Sequence, residues 1–282
     1  MSAIHETEVL REWRDSARFW KKHAETIRQM FAPVTRALIE EADIKQGHKV
    51  LDVAGGPGEP SLTIAEHVGP SGMVTCTDAI SAMVAAAESE GQSRGLANVQ
   101  FRQCAADELP FGDHRFDVAV SRLGVMFFAD PVAGLREMLR VTKPGGPVSL
   151  AVWAKSELNP FSYVVTDVMS RYFETPPDTA GSSDAFRFAE PGALAEVLRG
   201  AGATSIGERV LEFYIEAPIS PAGFWAMRSE TSGTLRAKLN TLSDKEKKRA
   251  ALDVQDAARE FFPNNEMRFP AQILIVTGNR PI

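Results

Sequence analysis

The stretch Val50-Leu51-Asp52-Val53-Ala54-Gly55-Gly56-Pro57-Gly58 carries the most chemistry in this chain. An apolar run meets an acid and then a glycine-rich turn. Glycine lets a backbone bend tightly and lets a ligand approach where a Cβ would clash. The turn therefore marks a small-molecule site at the end of a strand. A phosphate loop needs Gly-Lys-Ser/Thr at the end of the turn, but Gly58 is followed by Glu59-Pro60-Ser61. A dinucleotide fingerprint finds its first pair in Gly56 and Gly58, yet Ser61 stands at its third glycine. Asp52 and Glu59 disfavour a pyrophosphate and suit a ligand that carries an ammonium group.

Further features fall at later strand ends. Asp78 follows Val74-Thr75-Cys76-Thr77. An acid there is placed to accept hydrogen bonds from ribose hydroxyls, and standing alone it would suit a turn or helix cap equally. Ala105-Ala106-Asp107-Glu108-Leu109-Pro110-Phe111 follows the third strand. Phe116-Asp117-Val118-Ala119-Val120-Ser121-Arg122 forms the fourth strand and its exit. Open α/β sheets bind ligands at these carboxyl ends.

The elements that must position these residues alternate. Strand-like runs at Lys49–Val53, Gly72–Thr77, Asn98–Cys104, Phe116–Ser121 and Val148–Trp153 are separated by helical runs at 60–68, 81–93 and 131–141. That alternation predicts a mostly parallel sheet with helices on both faces. Helical spacing also covers 6–30 and 33–42. After Trp153 the rhythm breaks. A helix over 157–174 leads to a Pro/Gly/Ser loop over Thr175–Ser183, then a helix over Pro191–Arg199. Strands at Ser205–Ile215 and Arg268–Thr277 flank a helical insertion over 218–262. Ser243-Asp244-Lys245-Glu246 predicts a capping box within that insertion.

The chain has 282 residues, 44% of them hydrophobic, and a net charge of −6. A sizeable core can form, and the acidic balance argues against a nucleic-acid surface. Two cysteines, Cys76 and Cys104, show no zinc or disulfide spacing. No signal-peptide or membrane-length apolar run is visible, so a cytoplasmic protein is expected.

In order along the chain, these motifs resemble those of class I S-adenosylmethionine-dependent methyltransferases of the ubiquinone/menaquinone-biosynthesis (type 11) small-molecule kind. Residues 50–58 resemble the first motif, E/D-x-G-x-G-x-G. Asp78-Ala79-Ile80-Ser81-Ala82-Met83 resembles D-x-S-x-x-M. Ala106 to Phe111 with Phe116-Asp117-Val118 resembles A-E-x-L-P-F…F-D-x-V, and Arg140 to Gly146 resembles R-V-L-K-P-G-G. The match spans about 45–155. Two departures stand out. Ala54 replaces the first motif glycine. Ala105 stands where many relatives carry an aspartate for the adenine amino group, which leaves Asp107 or the backbone around Ala106 for that contact.

The resemblance implies a Rossmann-like, seven-stranded, mostly parallel sheet with helical lid elaborations. Residues 1–44 would form an N-terminal helical lid and 45–155 the cofactor-binding core. Residues 156–282 would complete the sheet, with insertions at 156–185 and 218–262 forming the acceptor lid. S-adenosyl-L-methionine would be the cofactor and S-adenosyl-L-homocysteine its product. Asp52, Ala54, Gly55, Gly56 and Gly58 would hold the methionine moiety, and Asp78 the ribose. Ala79, Met83, Ala105, Ala106 and Asp107 would edge the adenine, and Ser121 would lie near the methyl group. Met83 suits helix packing equally.

Arg122, Phe127, Phe161 and Tyr163 are candidates for lining the acceptor pocket. His5, His23, His48, His67 and His114 supply no convincing base, so no catalytic residue is assigned, and no metal is expected. The expected activity is in-line methyl transfer to a small organic acceptor, by a monomer or homodimer. A cofactor-binding regulatory protein without transfer and an NAD-dependent oxidoreductase are the alternatives.

Overall fold

Four strands are buried almost throughout, which is why they read as unbroken apolar runs: both of their faces are covered by helices. They are β1 (Lys49–Val53), β2 (Met73–Asp78), β4 (Val118–Arg122) and β5 (Pro147–Trp153). The computed structural model describes residues 8–173 and 185–282. The Thr175–Ser183 loop expectation lies outside them. β3 (Val99–Gln103), β6 (Thr204–Ala217) and β7 (Met267–Asn279) complete a seven-stranded sheet of order β3-β2-β1-β4-β5-β7-β6. β7 is antiparallel to both of its neighbours, and every other pairing is parallel. Chain order runs outward from β1 to β3 on one side and resumes at β4 on the other. The β1/β4 boundary is therefore the switch point where such sheets open a ligand crevice.

The two last strands run longer than their apolar spans suggest. They pair continuously from Gly207↔Thr277 to Ala217↔Met267. β6 is a sheet edge that exposes Glu208, Arg209, Glu212 and Glu216.

The helices of the core are α3 (Ala32–Glu41), α4 (Ser61–Val68), α5 (Ser81–Ser93), α6 (Pro131–Val141) and α8 (Ala193–Gly200). The 6–30 run divides at His23 into α1 (Glu8–Lys22) and α2 (Ala24–Met30). There the His23 ring meets the Glu230 carboxylate, Nε2 to Oε2 2.7 Å. α7 (Pro160–Met169) follows the carboxyl end of β5. The 218–262 insertion holds α9 (Pro221–Thr231), α10 (Gly233–Asn240) and α11 (Asp244–Ala257). α11 starts with the expected capping box: Glu246 N–H donates to Ser243 Oγ, and Ser243 N–H donates to Glu246 Oε2.

The insertion is anchored by aromatic rings. Phe224 of α9 is fully buried, and its ring centroid lies 5.6 Å from Phe161, 5.8 Å from Phe262 and 5.1 Å from Phe269. Phe269 belongs to β7, so these rings tie α7 and α9 to the sheet. On the other side, α1 packs on α5, α9 and α10. No helix among the described residues is long and apolar enough to cross a membrane.

Candidate functional site

At the end of β1 the chain enters a turn whose backbone only small residues tolerate. Ala54 has φ +60°, Gly56 +55° and Gly58 +121°. A Cβ on Gly55 would lie 2.7 Å from both Asp52 Oδ2 and Cys76 Sγ, and one on Gly58 would lie 2.8 Å from the Leu62 side chain. A Cβ on Gly56 would meet nothing within 4 Å. The turn is thus packed against the protein at Gly55 and Gly58 and open at Gly56, where a ligand can reach the backbone. Ala54 is a non-glycine residue in the left-handed region, which costs about 1–2 kcal/mol. Ala54→Gly is therefore expected to stabilise the protein by about 0.5–1 kcal/mol once the added freedom of the unfolded chain is subtracted, read as a rise in denaturation midpoint.

The acids of the site are held by backbone and hydroxyl donors. Asp78 Oδ2 accepts from Gly56 N–H at 3.0 Å and Oδ1 from Ile80 N–H at 2.9 Å. The carboxylate thus sits beside the open residue of the turn, at the end of β2. Asp52 is fully buried: Ser61 Oγ donates to its Oδ2 at 2.5 Å, and its Oδ1 has no partner. Asp52, expected to hold a ligand directly, is instead enclosed by protein and supports the turn from beneath. Ser61, which breaks the dinucleotide fingerprint, is the residue that ties the first turn of α4 to that acid. Thr77 Oγ1 donates to the Asp52 carbonyl at 2.9 Å, closing the same corner.

Glu59 does not face an ammonium site. Its Oε1 accepts from Arg94 Nη1, just past the end of α5, at 2.8 Å, in a pair almost closed to solvent. Nothing in the local sequence couples these two positions; the packing of α5 does.

Burial pushes Asp52 up to about 7 and Asp78 up to about 6, the latter opposed by the Ile80, Gly56 and Ala79 N–H groups. Both values exceed those of the unfolded chain, so the folded state holds extra protons between about pH 4 and 7. The contribution of these two acids to stability is therefore largest below pH 4 and declines as pH rises to 7. Glu25, held down to about 2 by Arg28, acts oppositely, but only below about pH 4.5. A cation bound at the turn favours both carboxylates in ionised form. Its affinity should rise between pH 5 and 8, with up to about one and a half protons released near pH 6; calorimetry in buffers of different ionisation enthalpy reads this directly.

The remaining candidates divide into those at the site and those drawn into packing. Ala79, Ala105 and Ala106 are partly buried and Asp107 is exposed, all on the carboxyl side of β2 and β3. Ser121 is fully buried at the end of β4, and its Oγ is sealed without a partner. A Cβ on Gly124 would strike Ser121 Oγ at 2.8 Å and Ala54 Cβ at 2.6 Å, so the β1 and β4 exits meet there. Leu123, between them, holds φ +58°, a strained conformation for a bulky residue.

Met83 is only 2% exposed and packs with Ala17 and Ile80 beneath α1, so helix packing accounts for it. Phe127 packs edge-on against Trp13 of α1 at 5.1 Å. Tyr163 is partly buried against the main core.

Two acceptor candidates are engaged within the protein. Arg122 donates from Nη1 to Thr35 Oγ1 at 2.8 Å and from Nη2 to the Glu59 carbonyl at 3.2 Å. Its charge is spent locking α3 to the β1 turn, because a guanidinium leaving the sheet here needs acceptors and finds them in protein. Phe161 is 4% exposed and belongs to the aromatic cluster.

Sequence reasoning missed Arg228 of α9, whose guanidinium lies 4.7 Å above the Phe161 ring. A lone arginine in a helical insertion leaves no spacing signal.

The described histidines point elsewhere. His23 meets Glu230, His48 Nδ1 accepts from Lys45 N–H, His67 meets the Ile44 carbonyl and His114 faces Arg280. His5 lies outside the described residues.

The donor set suits a cationic ligand that bears hydroxyl groups. An acid stands beside an open glycine backbone, a second acid lies below, and no lysine is present at the turn.

Comparison with known proteins bears on this geometry. The model of the ubiE/COQ5 methyltransferase family matches residues 29–174. A ubiquinone/menaquinone biosynthesis C-methyltransferase UbiE from Cellvibrio japonicus is 40% identical over 121 residues, 43% of this chain and 49% of that protein. The nocamycin O-methyltransferase of Saccharothrix syringae is 31% identical over 203 residues, 69% of this chain and 72% of that protein. The chain spans about half the length of several of the UbiE relatives it matches. A SAM-dependent methyltransferase structure from Aquifex aeolicus shares the fold with a TM-score of 0.53, at 22% identity, over 70% of this chain and 92% of that one.

Proposed function

Because this chain belongs to the ubiE/COQ5 methyltransferase family, we propose that it is an S-adenosylmethionine-dependent methyltransferase acting on a small organic acceptor. One observation carries the reading: the Asp78 carboxylate is hydrogen-bonded to Gly56, at the open point of the glycine turn. Family membership favours this over dinucleotide redox chemistry and over a binder without transfer.

When bound, the cofactor supplies a methyl group already activated by its sulfonium. The chain's own residues bind, orient and exclude water. Asp78 accepts hydrogen bonds from the ribose hydroxyls, and the turn backbone at Gly56 approaches the amino-acid portion. Asp52 lies below as a countercharge, held by Ser61. Ala79, Ala105, Ala106 and Asp107 border the adenine. Ser121, whose Oγ is sealed near the end of β4, would lie near the methyl group. We assign no general base, and propose residues 8–44 as an N-terminal lid and residues 156–173 and 218–262 as the acceptor lid. A cytoplasmic setting suits the two free, buried cysteines.

The test is titration calorimetry with S-adenosylhomocysteine. Saturable binding is expected, and no heat of binding at millimolar ligand would overturn the proposal. A panel of small acceptors with labelled cofactor then separates transfer from binding alone.

A further inference from the structure

Native interiors rarely leave a cation without an acceptor, and among the described residues Arg228 is such a case. It projects from α9 and is partly buried, with Nε sealed from solvent and unpartnered. Among the described residues no hydrogen bond or ion pair holds its guanidinium. Burial lowers it to about 10, so it stays charged at neutral pH. Other arginines in the fold are satisfied: Arg122 by Thr35 and Glu59, Arg94 by Glu59 and Glu90. The acid nearest to Arg228 in sequence, Glu230, is turned to α1, where Lys22 Nζ donates to it at 2.7 Å and His23, just past the helix end, meets it. Both of these side-chain partners come from the end of α1, so this carboxylate is engaged away from Arg228.

The position of this cation matters. Its guanidinium lies over Phe161, in the first turn of α7 beyond the carboxyl end of β5. Three residues along α9, the Thr231 carbonyl accepts from Trp20 Nε1 of α1. Trp13 of the same helix packs on Phe127 at the β4 exit. Arg228 therefore lies among the elements that enclose the carboxyl edge of β4 and β5.

We propose that Arg228, backed by the Phe161 ring, is the anion-recognition point of the acceptor site, and that the acceptor carries a carboxylate. This rests on the methyltransferase reading. A planar guanidinium presents paired donors that match a carboxylate, and a ring beneath it holds the plane in place.

The probe pair is 2-naphthoate and its neutral isostere 2-naphthamide, titrated into the protein with and without saturating S-adenosylhomocysteine. Wild type should bind the naphthoate at least about tenfold more tightly. Arg228→Met keeps the stem and removes the charge; it should abolish that preference, leave S-adenosylhomocysteine affinity unchanged and raise the melting temperature by a few degrees, because an uncompensated charge is lost. Arg228→Lys, which keeps the charge without the fork, should retain only part of the preference. Equal affinity for the two probes, no binding of either at millimolar concentration, or an unchanged preference in Arg228→Met overturns the proposal. Failure to bind S-adenosylhomocysteine with an intact naphthoate preference would instead sink the cofactor reading and leave the anion point standing.

Discussion

Asp78→Ala is expected to weaken S-adenosylhomocysteine binding about a hundredfold while the fold survives. A carboxylate that accepts two ribose hydroxyls makes two charge-assisted hydrogen bonds, each contributing about 1.5 kcal/mol. Their loss, about 3 kcal/mol, is close to two factors of ten in affinity. The cost to the apo fold is smaller, because two competing terms offset each other. The Gly56 and Ile80 N–H groups lose their acceptor. Against that, a carboxylate whose burial raises it to about 6 is no longer desolvated. Calorimetry supplies the affinity and thermal melting the control. A variant that melts like wild type and binds with unchanged affinity would remove Asp78 from the site. Asp78→Asn, which keeps one acceptor, should fall between the two.

The second large effect concerns stability. Phe224→Ala should destabilise the protein by about 4 kcal/mol, since a fully buried ring leaves a cavity that its neighbours only partly fill. Phe224 touches rings from α7 and β7 as well as Phe262, so its removal loosens the 218–262 insertion from the sheet. Chemical denaturation measures the loss, and a value below about 1 kcal/mol would show that the insertion is not held by these rings. The Arg228 guanidinium rests on Phe161 of the same cluster, so any preference for anionic acceptors should weaken with it.

Much of the core is legible in the sequence because its strands are buried on both faces and its turns demand particular residues. Val50 to Val53 reads as a covered strand, and the left-handed Gly56 and Gly58 that follow are positions where glycine is needed. The order of the motifs alone puts Asp78 at a strand end beside that turn. The last two strands are legible to within two residues at each end, but the antiparallel direction of β7 is not, because direction is set by the tertiary path and not by local burial. Side-chain roles are the least legible. Arg122 reads as a cation at a ligand crevice, yet Thr35 and Glu59, distant in sequence, claim its donors. Met83 reads equally as an adenine neighbour and as helix packing, and it is buried with Ala17 of α1 and Ile80.

By itself the sequence determined the α/β alternation, the glycine turn with its paired acids and the family motifs, since each rests on local backbone requirements or a repeating burial pattern. Only the tertiary structure decided which charges are free. Arg94 reaches Glu59 from another helix, Ser61 occupies Asp52, α1 takes Glu230, and Arg228 is left without an acceptor among the described residues. A charge becomes available to a ligand when no other group has claimed it, and such claims are made by residues brought together across long separations in the chain.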